Sequence, residues 1–231
     1  MKILVIVPAY NEEGAITGVV EDLRHNFAEG DILVVNDGSQ DRTSETARAL
    51  GVSVIDLPYN LGIGGAMQTG FIYALAGNYD AAIQFDGDGQ HRADEVEKIF
   101  KELRLKGVDL VVGSRFLSEE GFVSSMQRRI GSKILSLVVS TIVGKRITDT
   151  TSGFRVYSKK TIEFFSSLYP EDYPEVEALV LARKKGLEVE EVPSRMNART
   201  TGASSITALR AVYYMVKVLL AISVDLLKRI D

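Results

Sequence analysis

Five short runs rich in Val, Ile and Leu recur through the first half of this 231-residue chain, at about residues 2–7, 31–36, 52–57, 80–85 and 109–113. Between them lie longer segments with helical periodicity, such as 13–27 and 93–107. Strand then helix, repeated, buries such runs in a mostly parallel sheet covered on both faces, so the fold class is α/β. Sheets of this kind bind ligands beyond the carboxyl ends of their strands, and there this chain is unusually polar. Pro8, Tyr10, Asn11 and Glu12 follow the first run, and Asn36, Asp37, Gly38 and Ser39 the second. Asp86 and Asp88 follow the fourth, and Gly113, Ser114 and Arg115 the fifth. Four loops are therefore expected to converge on one rim.

Beyond residue 120 the regular alternation stops. A basic and apolar stretch, the polar segment 148–155 and a helix from about residue 205 follow. With no repeat, low-complexity tract or linker, the expected organisation is one domain over 1–205 with a C-terminal helix over 206–231.

Composition narrows the function. A 45% hydrophobic content is enough for a sizeable core, and a net charge of −4, from 27 basic and 31 acidic residues, lacks the basic excess of a nucleic-acid binder. Without cysteine there are no disulfides, zinc thiolates or thiol nucleophiles, and His25 and His91 are the only imidazoles. The N-terminus reads as a first strand, not a signal peptide. No uncharged apolar run reaches the roughly 18 residues of a membrane span. Lys217 and Asp225 interrupt the most hydrophobic tail, and Lys133, Lys145 and Arg146 bound the other candidate.

Asp86 and Asp88 pose a charge problem, since crowded carboxylates raise the cost of ionising each other. In an extended chain they project to one side, where a divalent cation removes the repulsion. Hard oxygen donors without Cys or a His cluster favour Mg²⁺ or Mn²⁺. Two alternatives stand beside this: an ordinary Asp-Gly turn, and a calcium loop running from Asp86 through Asp88 and Gln90 to Glu97. The second lacks its glycine, because His91 occupies that place. Asp37 ends a buried strand, with Ser39 or Asp41 as N-cap of the next helix, and a carboxylate there suits a nucleobase or ribose. Gly62, Gly64, Gly65 and Gly70 lie between the third strand and a helix. They do not form GxGxxG, and read as a phosphate loop or as a tight turn with close helix packing.

The strings VPAYNEE, VVNDGSQDRT, NLGIGGAMQTG, FDGDGQH, GSRF and DTTSGFR, in this order, resemble the family 2 glycosyltransferases of GT-A (Rossmann-like) fold over about residues 3–205. The branch they are most similar to is that of dolichol-phosphate mannose synthase and the polyprenyl-phosphate glycosyltransferases. The resemblance implies that Pro8, Tyr10, Glu12 and Asp37 hold the nucleotide of an NDP-sugar. It implies that Asp86 and Asp88, with Gln90, bind a Mg²⁺ or Mn²⁺ ion bridging the diphosphate. By motif position Arg115, Arg128 or Arg129, and Arg199 are the cations helping the leaving group. Asp149 matches the acid near the acceptor, as base or as the group orienting the acceptor or an arginine. Glu175 and Glu177 line the acceptor side or a solvated helix face.

The implied reaction is inverting transfer of a hexose to polyprenyl phosphate, with UDP-glucose or UDP-N-acetylglucosamine as expected donor. GDP-mannose, a soluble acceptor, or a non-catalytic nucleotide-sugar module are the alternatives. Residues 124–146 carry five basic and no acidic side chains around an apolar stretch, which suits an anionic membrane surface. This stretch and the C-terminal helix also suit a core or homo-oligomer contact. The expected location is peripheral, at the cytoplasmic face of the cell membrane. The segment 195–206, an arginine followed by Gly-x-Ser, is expected to close over the donor diphosphate.

Overall fold

The computed structural model describes residues 1–117, 126–197 and 208–228, apart from the side chains of 126–130 and 208–212. Seven strands make one sheet: β1 Ile3–Ala9, β2 Gly30–Asn36, β3 Ser53–Asp56, β4 Ala81–Gln84, β5 Leu110–Ser114, β6 Arg155–Ser158 and β7 Val189–Pro193, in the order β3-β2-β1-β4-β6-β5-β7. All neighbours run parallel except β6, which is antiparallel to both β4 and β5. Central β1 shows why its run reads as continuous. Leu4 and Ile6 enter the core on one face, and Ile3, Val5 and Val7 that on the other, all buried.

Helices α1 Ile16–Asn26, α2 Thr43–Ala49 and α4 Val96–Lys106 flank one core; α4 follows a short 3₁₀ turn, Ala93–Glu95. Helices α3 Gly62–Ala76, α5 Met126–Val143, α6 Lys159–Ser167, α7 Pro174–Lys184 and α8 Ala208–Leu227 cover the other. Neither Asp41 nor Ser39 is the N-cap of α2, which is Arg42: the Asp41 carboxylate accepts Thr43 N–H at 3.0 Å from one residue before the cap, and Ser39 Oγ accepts Asn11 N–H at 2.9 Å and so joins the first two loops.

Two further expectations are corrected here. The alternation does not stop at residue 120: β6 and β7 extend the sheet, each only four or five residues long. Strand β6 opens on a charged residue, Arg155, which hides it from a hydrophobic pattern. Nor do the glycines form a loop before a helix, since α3 begins at Gly62. A Cβ at Gly64 would meet Pro170 O at 2.3 Å, and one at Gly70 would meet Ile6 Cγ2 at 2.5 Å. Gly64 and Gly70 serve close packing of α3 against the 170 loop and the sheet.

Helix α8 packs on α7 and α5 through Val218 and Ile222. It exposes Tyr213, Val216, Leu220, Val224 and Leu227 on the opposite side. Among the described residues, no helix is long and apolar enough to cross a membrane.

Candidate active site

The strand ends are stitched together by short contacts. Asp37 N–H donates to Ala9 O at 2.9 Å, and Gly87 N–H donates to Pro8 O at 3.1 Å, joining the ends of β2 and β4 to β1. Gly153 lies against Asp86, where a Cβ would stand 2.7 Å from Oδ2 and 2.9 Å from Gln84 Nε2. The 148–155 segment then reaches the end of β5 through Asp149 and Arg115.

Strand β4 ends at Gln84, two residues before Asp86, so strand alternation does not carry through the aspartate pair. The two carboxylates take different surroundings. Asp86 Oδ2 faces His91 Nε2 at 2.9 Å, and its Oδ1 accepts Gln84 Nε2 at 3.3 Å. Burial pushes the Asp86 carboxyl up, but the adjacent His91 pulls it below the usual carboxylate range, aided by Gln84 and Arg155. His91 is buried against the rings of Phe85 and Phe154, at centroid distances of 5.4 and 5.0 Å.

Asp88 instead accepts Gln90 N–H at 3.0 Å and the Gln90 side-chain amide, and opens on a cleft of about 560 Å³. That cleft is lined also by Glu12, Asp22, His91 and Asn197. Its acidity suits a cation or a hydroxyl-rich group better than a bare diphosphate. No group of three His, Cys, Asp or Glu able to hold a metal occurs among the described residues. Two partly exposed carboxylates with free lone pairs, with no third carboxylate or imidazole grouped with them among the described residues, fit Mg²⁺ or Mn²⁺ completed by phosphate oxygens and water, and do not fit zinc.

Arg115 and Asp149 form a multiply bonded ion pair at the rim. Asp149, fully buried, accepts Arg115 N–H at 3.0 Å, Nε at 2.7 Å and Nη2 at 2.7 Å, and Nη2 also donates to Thr151 Oγ1 at 2.9 Å. Burial works against the Arg115 charge, and the Asp149 carboxylate outweighs it, raising the guanidinium pKa. Glu191 of β7 holds the turn beneath, accepting both Thr148 N–H and Asp149 N–H. Glu175, at the start of α7, is pushed up by burial, which the charges of Arg155 and Arg115 only partly offset.

The residues expected at the nucleotide sit on the first two loops. Tyr10 is 43% exposed, enough for a ring face to meet a base. Glu12 N–H donates to Thr43 Oγ1 at 2.8 Å, and its side chain borders the cleft. Pro8 is buried within β1. Asp37 is buried too, its two oxygens accepting Leu61 N–H at 2.7 Å and Gly62 N–H at 2.9 Å, so it anchors the start of α3. Arg128 and Arg129 lie on α5 with side chains outside the described residues, and Arg199 lies outside them altogether. Glu177 turns away from the rim towards α8 and is buried, accepting Tyr173 N–H at 3.0 Å.

Four residues escaped the sequence reading. His91 had a signal, as one of two histidines and five residues from Asp86. Gly153 and Arg155 lie in the DTTSGFR string, which did not by itself say what they touch, and Glu191 had no signal, because it acts on residues more than 40 positions away. Arg155 is fully buried and donates to Ser152 O at 2.8 Å and Glu175 O at 2.6 Å, tying the 148–155 turn to α7.

Comparison with known proteins identifies the family and the fold. The family model "Glycosyl transferase family 2" matches residues 4–165. A UDP-N-acetylglucosamine–dolichyl-phosphate N-acetylglucosaminyltransferase of Methanococcus voltae is 34% identical over 212 residues, 83% of this chain and 84% of that protein. An undecaprenyl-phosphate mannosyltransferase of Micrococcus luteus is 30% identical over 216 residues, 90% of this chain and 88% of that one. Among solved structures, glucosyl-3-phosphoglycerate synthase of Mycobacterium tuberculosis, in complex with Mn²⁺, UDP-glucose and phosphoglyceric acid, superposes with a TM-score of 0.74 at 20% identity, covering 96% of this chain and 79% of that one. The same synthase has also been solved with Mg²⁺ and UDP. With the family model spanning most of the chain and the sheet carrying its polar rim at the strand ends, this chain belongs to glycosyl transferase family 2 and is a glycosyltransferase of GT-A fold.

Proposed function

We propose that this glycosyltransferase moves a hexose from UDP-glucose or UDP-N-acetylglucosamine to polyprenyl phosphate, with inversion, at the cytosolic surface of a membrane. The observation that carries the reading is the occupation of Asp149. Its buried carboxylate is spent on Arg115, so it positions an arginine instead of waiting as a base. A hydroxyl acceptor needs a proton removed, whereas a phosphate monoester, with a second pKa of about 6, is already largely a dianion at neutral pH. Arg115 then offers charge to phosphate oxygens at the rim. The names of the two curated relatives, one acting on dolichyl phosphate and one on undecaprenyl phosphate, support the acceptor class and differ in the sugar.

Asp86 and Asp88, with Gln90 beside them, are the residues to hold Mg²⁺ or Mn²⁺. Bound there, the cation supplies Lewis-acid stabilisation to the departing nucleoside diphosphate. His91 and Gln84 orient Asp86, and Gly153 leaves it room. Tyr10 packs on the base, with Pro8, Glu12 and Asp37 shaping the loops that hold the nucleotide. Arg128, Arg129 and Arg199 add cations around the phosphates. The acceptor phosphate oxygen attacks the anomeric carbon from the face opposite the diphosphate, the C1–O bond breaks, and no proton moves. Rigid placement of the two phosphates supplies much of the rate. Domain 1–205 does this chemistry, while the segment from 206 contributes the apolar stripe of α8 to a peripheral membrane contact, with a second copy of the chain as the alternative occupant.

Glu175 favours a second reading. Its raised pKa beside Arg115 suits a general base for a hydroxyl acceptor. Incubation with undecaprenyl phosphate and a panel of UDP- and GDP-sugars, in Mg²⁺, Mn²⁺ or EDTA, separates the two by mass spectrometry of the lipid. A lipid-linked sugar that still forms in Glu175→Gln supports the first. Turnover only with soluble glycans, lost in Glu175→Gln, supports the second.

A further inference from the structure

Strand β7 lies beside β5 with Val112 paired to Glu191 and Ser114 to Pro193. The ladder brings Glu191 beside the turn that carries Asp149. Its Oε1 accepts Asp149 N–H at 2.6 Å and Thr148 N–H at 2.9 Å, and its Oε2 accepts Thr148 N–H at 2.7 Å and Thr148 Oγ1 at 2.9 Å. Thr148 Oγ1 also meets Ser114 Oγ at 2.8 Å, one residue before Arg115. One carboxylate thus fixes two consecutive backbone N–H groups, and with them the direction in which the Asp149 side chain leaves the chain. Among the described residues, that side chain accepts three short N–H bonds from Arg115 and a longer bond, 3.5 Å, from Thr151 Oγ1.

We propose that Glu191 is a positioning residue for sugar transfer: it aims the Thr148–Asp149 turn so that Asp149 sets the Arg115 guanidinium against the phosphates. Burying a carboxylate at this point is costly, and burial does push the Glu191 carboxyl up despite its hydrogen bonds. A turn needing only an acceptor is satisfied by a neutral side chain. A carboxylate is the one side chain whose two oxygens both accept, here from two adjacent donors and a hydroxyl. The inference rests on the reading of Arg115 given above.

The test uses Glu191→Gln, Arg115→Ala and the double variant, in the lipid transfer assay and by calorimetry with UDP and with GDP in Mn²⁺. Gln keeps the size but turns an amide NH₂ towards a backbone donor. We expect Glu191→Gln to lower kcat roughly 10- to 100-fold, and the double variant to be no worse than Arg115→Ala. Losses that multiply in the double variant overturn the proposal, since a merely structural role adds independently. Arg115→Ala without effect on transfer or nucleotide binding removes the functional reading of Arg115. An effect of Arg115→Ala that Glu191→Gln does not reproduce removes this inference alone. A crystal structure of Glu191→Gln decides without activity: Asp149 turned off Arg115 supports the proposal, and an unchanged three-bond contact overturns it. If Glu191→Gln does not fold, Glu191→Asp, one methylene shorter, carries the same expectations.

Discussion

Arg115 spends three N–H groups on one carboxylate, with its backbone N, Nε and Nη2 all within 3.0 Å of Asp149. The residues are 34 positions apart, and the pair joins the end of β5 to the turn before β6. Asp149→Asn keeps one acceptor and presents an NH₂ to a guanidinium. Turnover is expected to fall roughly 10- to 100-fold, because a misdirected arginine loses its phosphate. The slope of activity against pH above about 7 stays unchanged if the acceptor is a phosphate dianion. pH–rate profiles of the two proteins check this, and a loss confined to low pH identifies Asp149 as a base.

Chelation is the second prediction. With no third carboxylate or imidazole grouped with Asp86 and Asp88 among the described residues, the cation depends on the nucleotide for much of its coordination. EDTA and Asp88→Ala are expected to abolish transfer and to weaken UDP binding at least tenfold, measured by calorimetry with and without Mn²⁺. Nucleotide affinity indifferent to Mn²⁺ argues against a bridging cation.

Gly153→Ala tests the space behind Asp86. The added methyl stands 2.7 Å from Asp86 Oδ2, which must shift. The Mn²⁺ concentration for half-maximal activity is expected to rise several-fold with secondary structure unchanged by circular dichroism. An unaltered Mn²⁺ titration removes the close approach from the account.

Stability should depend on pH through Glu177. Burial, then hydrogen bonding to Asp225 and its charge, push the Glu177 carboxyl up to about 7. Asp225 is buried on α8, where Lys228 Nζ donates to its Oδ1 at 2.8 Å. An acid whose folded pKa is raised contributes stability that is full below its unfolded value and is lost as pH rises through the folded one. The window is therefore from about 4.5 to about 7. Glu177→Gln, which keeps an acceptor for Tyr173 N–H and offers an N–H to Asp225, is expected to remove this dependence. At pH 8 it should exceed the native chain by roughly 2 kcal/mol. Melting curves from pH 5 to pH 8 decide it, and parallel curves for the two proteins refute it.

The exposed stripe of α8 gives a fifth test. Leu220 and Val216 lie on its outer face, 64% and 60% exposed. Leu220→Asp is expected to cut sedimentation with anionic vesicles at least threefold while leaving melting unchanged, since the side chain has no core to lose. If the native chain ignores vesicles and dimerises, the stripe is a protein interface.

The sequence by itself determined the five parallel strands, the helices between them and the polar rim, because hydrophobic period and strand-end chemistry are local signals. The metal-binding role proposed for Asp86 and Asp88 rests on signals of the same kind: the residue types and their company are written in the chain. Tertiary structure alone decided what each acid faces. Asp37 anchors α3, Asp88 opens on the cleft and Asp149 is consumed by Arg115. It also decided that β6 and β7 complete the sheet, which puts Arg155, Gly153 and Glu191 at the site. Short strands bearing charged residues carry no period to read. A carboxylate's role follows from the donors that long-range folding brings within 3 Å of it, and spacing along the chain does not encode that distance.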